Sequence, residues 1–235
     1  QDETDVDCGG VCSSTVACAI GKRCKTALDC DSYVCTAGKC SADLVIPSAD
    51  VIEDFEDGDL LLPANPARGG RVGNWYAFND STGTETLDVL AIRRGSASVN
   101  GLHVRSKDFT SWGSGVGVDF DNSATKAAYD ASAYGAITFW GRAVSPMPVK
   151  VMLPDVDTDT AGNTCSACSH HYFTTVSMTT TWQRFTVAFS DLTLEAGGVP
   201  APSAFKPSGL LSLHFQFAAG GNSEVFIDDV ALIKK

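Results

Sequence analysis

From residue 44 to the end of the chain, apolar and polar residues alternate in short stretches. A period of two places successive side chains on opposite faces of a β-strand, whereas a helix repeats its apolar face every three to four residues. Clusters rich in Gly, Asn, Asp, Ser and Pro separate the stretches, as turns do. The stretches are VIEDFED, NWYAF, GLHVRS, GVGVDF, AITFWGRA, VKVML, QRFTVAF, LLSLHFQFA and VFIDDVALI. Many short strands predict an all-β fold, a jelly-roll β-sandwich.

The first 43 residues follow a different pattern. They contain few large apolar residues and seven of the nine cysteines, namely Cys8, Cys12, Cys18, Cys24, Cys30, Cys35 and Cys40. Such a segment cannot bury a core, so disulfide bonds must replace one. We therefore predict a small disulfide-rich module at 1–43 and the sandwich at 44–235. Seven is an odd number, so one cysteine is expected to pair with another chain or with a cysteine upstream.

Charge and cysteine content narrow the possible partners. The net charge of −11 repels phosphate groups, which argues against nucleic acids and anionic membranes. No apolar run approaches the roughly 20 residues that cross a bilayer. Dense cysteines indicate an oxidising compartment, so a secreted, extracellular or cell-surface location is predicted. The chain opens without a basic and apolar signal, and Gln1 is expected to be a mature N-terminus or the start of a fragment.

The alternation also assigns side chains to faces. Leu213 and Phe215, for example, are expected to point into the core. Flat side chains stack on pyranose rings and rigid donors bind their hydroxyls, so the outward positions suggest a carbohydrate site on one concave face. Those positions are His103, Arg105, Trp140, Arg142, Lys150, His214 and Gln216, with Trp75 and Tyr76 at the border of the cleft and Trp182 assigned to the core. An ordinary polar sheet with one partly covered tryptophan is the alternative.

The stretch GNTCSACSHHYF contains the other two cysteines. Cys165, Cys168, His170 and His171 are zinc ligands by type, and CxxC is also a redox motif. Two thiols this close oxidise in an oxidising compartment, and the flanks predict a loop entering a strand rather than a helix N-terminus. Adjacent histidines in a strand point to opposite faces. We predict a Cys165–Cys168 disulfide that shapes the loop, with both histidines outside any metal site.

The segments ETDVDCGGVC, GKRCKTALDC and YVCTAGKC resemble a cysteine-rich repeat common in bacterial secreted proteins. The resemblance covers the first forty or so residues. In that family a further cysteine usually precedes the ETDVDCGG run. The resemblance implies a spacer near other domains, not an activity.

The larger part of the chain is similar to a galactose-binding-like jelly-roll carbohydrate-binding module, closest to family 11. The segments that carry the resemblance are IEDFEDGD, NWYAFNDSTG, YDASAYGAITFWGRA, TWQRFTVAFSDL and VFIDDVALI. The resemblance implies a glycan ligand on the concave sheet. It also implies a structural calcium ion between an early acidic strand and the last strand.

The acidic runs EDFED and IDD supply the oxygen ligands that calcium prefers. By family match, Glu56 and Asp228 are the predicted ligands, with Asp54 and Asp229 in reserve. Ordinary acidic strand ends are the alternative.

No catalytic sequence motif of the GxSxG or HExxH type occurs in the chain. We predict a non-catalytic, secreted carbohydrate-binding protein. The main alternative is a self-assembling surface protein, a homo-oligomer in which the cysteine-rich module makes subunit contacts. A polysaccharide-active enzyme stays open, because catalytic triads are not local in sequence.

Overall fold

The computed structural model describes residues 4–5, 8–9, 17–63, 67, 69–94 and 98–235. The strands in these ranges are β1 (Cys35–Thr36), β2 (Lys39–Cys40), β3 (Val51–Glu53), β4 (Trp75–Asn79), β5 (Thr84–Arg94), β6 (Ser98–Lys107), β7 (Ser114–Asp119), β8 (Tyr134–Ala143), β9 (Met147–Leu153), β10 (Tyr172–Met178), β11 (Gln183–Ala188), β12 (Thr193–Leu194), β13 (Ser212–Phe217) and β14 (Ser223–Lys234). Short 3-10 turns occupy Ala27–Asp29, Ser48–Asp50, Thr160–Gly162, Phe189–Asp191 and Pro207–Gly209. No helix in the described ranges is long and apolar enough to span a membrane.

Two antiparallel sheets form the sandwich. The front sheet has the strand order β12-β10-β9-β13-β7-β4. The back sheet has the order β11-β8-β14-β6-β5, with β3 paired to β14. The predicted all-β jelly-roll sandwich is confirmed.

The core lies between the sheets and is filled by the apolar residues that the alternation assigned to it. Phe139 of β8 and Phe215 of β13 join the two sheets, with an edge-to-face ring contact at 4.8 Å. Trp75 stacks on Phe215 and is 2% exposed. The prediction that Trp75 borders a ligand cleft is therefore wrong, because the first residue of β4 points inward.

Three disulfides hold the cysteine-rich module together. They join Cys8 to Cys18, Cys24 to Cys35 and Cys30 to Cys40. The five cysteines that are most buried pack on one another, so they form the small core that this segment otherwise lacks. Cys12 lies outside the described residues, and so does the prediction that concerns an unpaired cysteine.

The module packs against the outer face of the back sheet. Tyr33 and Val34 contact a cluster formed by Trp140, Trp182 and Phe226. Asp43 fixes the end of the module, because its carboxylate accepts a 2.8 Å hydrogen bond from Trp140 Nε1 and 2.9 and 2.6 Å bonds from Arg184 Nε and Nη2. Trp182 is buried as predicted, but beneath the module rather than between the sheets. The boundary at residue 44 stays a prediction.

Candidate functional site

The outer face of the front sheet carries two rows of side chains that the strand register aligns. One row runs Tyr76, Gly117, His214, Met152 and Phe173. The neighbouring row runs Phe78, Gly115, Gln216, Lys150 and Thr175. Because β4, β7, β13, β9 and β10 are adjacent, these rows make one continuous surface across the sheet.

Two glycines of β7 allow aromatic rings to lie over that strand. A Cβ atom at Gly117 would lie 2.5 Å from His214 Cδ2 and 3.0 Å from Tyr76 Cζ. A Cβ atom at Gly115 would lie 2.5 Å from Phe78 Cζ. Larger residues at these positions would push the rings away, so the glycines determine the shape of the floor.

A cleft of about 700 Å³ lies on this surface. One side is an aromatic wall made by Phe78 and Trp112, whose rings stack at 6.1 Å; Trp112 is 45% exposed. The other side is a polar wall from the loops that follow β7, β9 and β12, made by Lys126, Asp159, Ser169, His170, His171 and Glu195. The cleft therefore combines flat apolar faces with hydrogen-bonding groups.

Tyr76 and His214 form the floor as neutral groups. The Tyr76 hydroxyl donates to Asp119 Oδ1 at 3.1 Å and lies 2.8 Å from His214 Nε2. Burial, followed by the nearby Asp119 carboxylate, raises the pKa of Tyr76 above its ordinary value. Burial, followed by the nearby His171 ring and the Lys126 ammonium group, holds the pKa of His214 well below its ordinary value. Both side chains are thus uncharged at neutral pH.

Charges in the polar wall are compensated. Lys126 Nζ lies 3.2 Å from Asp119 and 2.8 Å from Asp159. Burial alone would raise the pKa of Asp159, but Lys126 outweighs it and lowers that pKa below the ordinary value. Lys150 Nζ lies 2.6 Å from Glu195. Burial lowers the pKa of His171 to about 4, so this ring is also neutral.

The predicted Cys165–Cys168 disulfide is confirmed, with a Cα–Cα distance of 5.3 Å. It closes the turn that precedes the polar wall. His170 Nδ1 lies 3.0 Å from the carbonyl oxygen of Cys168, and a Cβ atom at Gly197 would lie 2.5 Å from His170 Nε2. The disulfide loop and the glycine therefore position His170 at the cleft.

The residues predicted to bind a carbohydrate divide between the two sheets. Tyr76, Lys150, His214 and Gln216 lie together on the front sheet. The other four, His103, Arg105, Trp140 and Arg142, lie on β6 and β8 of the back sheet. Their placement on one face with the first group is wrong. Alternation shows which residues share a face of one strand, but not which sheet that strand joins.

Trp140 does not present a ring to a ligand. It is 2% exposed, and the guanidinium carbons of Arg94 and Arg184 lie 4.7 and 5.1 Å from its ring centroid. The cysteine-rich module closes over this arrangement through Tyr33. Trp140 is therefore part of an internal interface, and its predicted stacking role is wrong.

The other back-sheet residues are also engaged. His103 is buried, with its ring nitrogens 2.8 Å from Asp88 Oδ1 and 2.9 Å from Glu224 Oε1. Arg142 lies 4.0 Å over the Phe226 ring. Arg105 is the exposed member of the group, with its side chain 60% exposed. These contacts make the part of the outer face around His103 and Arg142 a packed surface rather than an open site, and they leave Arg105 exposed near the edge of that face.

The four predicted calcium ligands do not converge. Asp228 is fully buried and accepts hydrogen bonds from Arg94 Nε at 2.9 Å and Ser98 Oγ at 2.5 Å. Asp229 pairs with the same guanidinium. Glu56 accepts from the backbone amides of Val99 and Asn100, and Asp54 accepts weakly from the amide of Glu56 at 3.5 Å. As a set, these residues do not fit an oxygen cage, because an arginine already neutralises two of them.

Sequence reasoning missed a carboxylate in the same region. Glu53 of β3 is fully buried, and its Oε2 atom has no hydrogen-bond partner in the described part of the chain. Burial raises the pKa of Glu53 to about 7. Glu53 pairs with Val230 of β14, next to Asp229.

Cleft residues were missed as well. Phe78 follows Tyr76 by two positions within NWYAFND, so alternation alone places both on one face. Trp112, Lys126, Asp159 and Glu195 lie outside the long strands, where no periodic signal exists.

No family model matches the chain, and no curated protein matches it. Solved structures share its fold. The family 11 carbohydrate-binding module from Clostridium thermocellum, in complex with a β-1,3-1,4-mixed-linked tetrasaccharide, aligns with a TM-score of 0.56 and 16% identity over 79% of this chain and 95% of that chain. The family 11 module of the cellulosomal cellulase Lic26A-Cel5E of Clostridium thermocellum aligns at 0.54 and 14%, with 79% and 95% coverage. An exo-β-agarase aligns at 0.52 and 12%, over 79% of this chain but 25% of that chain.

At these identities the likeness shows the fold alone. That fold is the jelly roll of carbohydrate-binding modules. The resemblance of the N-terminal segment to a cysteine-rich repeat has no support from these comparisons and stays a prediction.

Proposed function

We propose that the front-sheet cleft binds an uncharged glycan chain without cleaving it. The observation that carries the proposal is the pairing of an exposed aromatic wall with a floor of neutral donors and acceptors. The fold similarity supports it, because the family 11 module is described in complex with a mixed-linked tetrasaccharide. The disulfides support an extracellular setting, where glycans occur.

Each part of the cleft has a role in this proposal. Phe78 and Trp112 stack against the apolar faces of pyranose rings. Tyr76, His214 and Gln216 hydrogen-bond to sugar hydroxyls, because each offers a fixed polar atom on a rigid strand.

The preference for uncharged sugars follows from the compensated charges. Lys126 and Lys150 are held by acids, so neither is free to pair with a uronate or sulfate group. The carboxylates of Asp159 and Glu195 repel such groups.

The same charges favour binding over catalysis. A glycosidase needs a carboxylic acid that keeps its proton near neutral pH. Lys126 engages both Asp119 and Asp159, and the pKa of Asp159 is lowered. These acids therefore suit the orientation of a ligand rather than proton transfer.

Affinity electrophoresis of the intact chain tests the proposal. The panel contains uncharged glucans, mannans, xylans and galactans. We expect retardation by at least one of them, with the loss of retardation when the free oligosaccharide is added. Folded protein that migrates unchanged on the whole panel contradicts the proposal, and release of reducing sugar from any polymer contradicts its non-catalytic part.

A structural calcium ion is a separate proposal, and the unpartnered oxygen of Glu53 changes its expected ligands. Glu53 would be the main protein ligand, because its Oε2 atom has no partner among the described residues, whereas Asp228 is already held by Arg94 and Ser98. The ion would supply the positive charge that the buried Glu53 carboxylate lacks. Binding only the folded state, calcium should raise the melting temperature above that in EDTA. We expect Glu53→Gln to abolish that difference and Glu56→Gln, the matched control, to keep it.

The direction in which Glu53→Gln changes the melting temperature in EDTA is a second readout. Because the pKa of Glu53 is raised to about 7, the fold loses stability as pH rises from the pKa of the unfolded state to about 7, and the loss is complete above that value. Glu53→Gln should therefore raise the melting temperature at alkaline pH in EDTA. A wild-type melting temperature that is the same in calcium and in EDTA contradicts the calcium proposal.

A further inference from the structure

A second concavity of about 700 Å³ lies at one end of the sandwich, beside the back sheet. Strands β5 and β6 form one side, and the loops after β8 and β13 form the other. Its lining includes Thr84, Thr86, Arg105, Lys107, Val144, Pro146, Met147, Pro148, Gly220, Gly221 and Glu224. This pocket shares no lining residue with the front-sheet cleft.

The charged residues of the pocket lining are two cations, Arg105 and Lys107, and one carboxylate, Glu224. Arg105 and Lys107 are two residues apart on β6, so their side chains share the outer face and start about 7 Å apart. Arg105 uses only Nε to pair with Glu224, at 3.1 Å. Lys107 has no ion-pair partner among the described residues. In a chain of net charge −11, the pocket combines that lysine with an arginine whose two Nη atoms are not used by Glu224, so it keeps one positive charge in excess that an anion would neutralise.

The rest of the lining limits the shape of that anion. Thr84 and Thr86 pair with Lys107 and Arg105 across the strands, so their hydroxyls lie beside the two cations. The opposite side is apolar, with Val144 51% exposed next to prolines and Met147. At Gly220 and Gly221 nothing lies within 4 Å of the position of a Cβ atom, which leaves the entrance open. A ring with one apolar face and an attached oxyanion matches these three features.

We propose that this pocket binds an acidic sugar, through a carboxylate or sulfate group held by Arg105 and Lys107. Arginine binds planar oxyanions with two parallel hydrogen bonds, and lysine adds a point charge. The apolar side contacts the sugar ring, and the threonine hydroxyls bind ring hydroxyls. This ligand class differs from that of the front-sheet cleft, where the lysines are already paired.

The loops that border the two sites are in contact. The loop before β7, which carries Trp112 of the cleft, contacts the loop before β14, which lines the pocket: Gly220 N donates to the Phe109 carbonyl at 3.1 Å. The sites therefore lie on either side of one end of the sandwich. The pocket does not depend on the glycan proposal for the cleft.

Isothermal titration with defined oligosaccharides tests the proposal on the full chain. The probes are an oligogalacturonate, a sulfated galactan oligomer and an uncharged galactan oligomer of equal length. We expect the wild type to bind at least one acidic probe, and added salt to weaken that binding. Comparison of the oligogalacturonate with the sulfated oligomer shows whether the pocket binds a carboxylate or a sulfate group.

Matched variants locate the site. Arg105→Ala with Lys107→Ala is expected to weaken binding of the acidic probe by about ten- to a hundredfold, because charge-assisted hydrogen bonds are lost. Lys22→Ala with Lys25→Ala removes the same charge from exposed positions on the module and should leave binding unchanged. All these side chains are exposed, so melting temperatures should agree within a few degrees.

Three results would overturn the proposal. The first is a wild type that binds neither acidic probe. The second is equal weakening in both double variants, which would reveal nonspecific attraction. The third is loss of acidic binding in Trp112→Ala, which would place the acidic sugar in the front-sheet cleft instead.

Discussion

Asp43→Ala is expected to lower the free energy of unfolding by about 2–4 kcal/mol, because it leaves partly buried polar groups without their acceptor. Asp43 accepts hydrogen bonds from Trp140 Nε1, Arg184 Nε and Arg184 Nη2. Without this carboxylate, the guanidinium of Arg184 loses its salt bridge, and the indole nitrogen of a nearly buried tryptophan loses its partner. Urea unfolding and the melting temperature measure the effect.

The pH dependence of this effect identifies its cause. Burial raises the pKa of Asp43, but the Arg184 guanidinium and Trp140 outweigh burial and hold that pKa below its ordinary value. A carboxyl with a lowered pKa stabilises the fold above its unfolded pKa, and the stabilisation is lost as pH falls through the folded pKa. The difference between the wild type and Asp43→Ala should therefore shrink in acid.

Asp191→Ala is the matched control, because Asp191 is an exposed carboxylate on the same chain. It should change the free energy of unfolding by less than about 0.5 kcal/mol. An Asp43→Ala variant as stable as this control would mean that the Asp43 hydrogen bonds do not fasten the module to the sandwich. Faster proteolysis between the module and the sandwich in Asp43→Ala alone would support the interface.

Trp112→Ala is expected to weaken glycan binding by about 1–3 kcal/mol, or roughly 5- to 150-fold, the range for loss of one stacked aromatic ring. Trp112 is 45% exposed, so the free energy of unfolding should hardly change. Phe78 stacks beside it, and Phe78→Ala should weaken binding further. Titration with the best glycan from the uncharged panel measures both losses.

Two variants separate binding from folding. Val45→Ala removes an apolar side chain that is 88% exposed and outside the cleft, and should leave affinity unchanged. Trp140→Ala should destabilise the protein by about 3–5 kcal/mol, as large core truncations do, and leave the affinity of the folded fraction intact. Full affinity in Trp112→Ala, or loss of affinity in a stable Trp140→Ala, would contradict the assignment of the site to the front sheet.

Alternation in the sequence predicted most of the long strands, although not β5, because the two faces of a strand are a local property of its backbone. It therefore placed Leu213 and Phe215 in the core, and His214 and Gln216 together outside. The Cys165–Cys168 disulfide was equally local, since CxxC spacing already brings two thiols within bonding reach. These conclusions needed no knowledge of any distant residue.

Sheet membership depends on distant pairings and could not be read in the same way. Strand β13 pairs with β7 and β9, whereas β14 pairs with β6 and β8. Strands β13 and β14 follow one another in the chain, yet they pair with different strands and belong to different sheets. These pairings place His214 of β13 on the front sheet and His103 of β6 on the back sheet. A one-strand pattern contains no information on which strand lies beside it.

What the sequence by itself determined is therefore most of the long strands, the inward and outward positions within most of them, and the disulfide-rich character of the first 43 residues. What only the tertiary structure decided is the burial of Trp140 beneath that segment, the pairing of Arg94 with Asp228, and the approach of Trp112 and Lys126 to one cleft. The physical reason is that these contacts join residues that are far apart in the sequence. Burial and ion pairing between residues tens to more than a hundred positions apart arise from packing of the whole sandwich, and periodicity within one strand does not encode them.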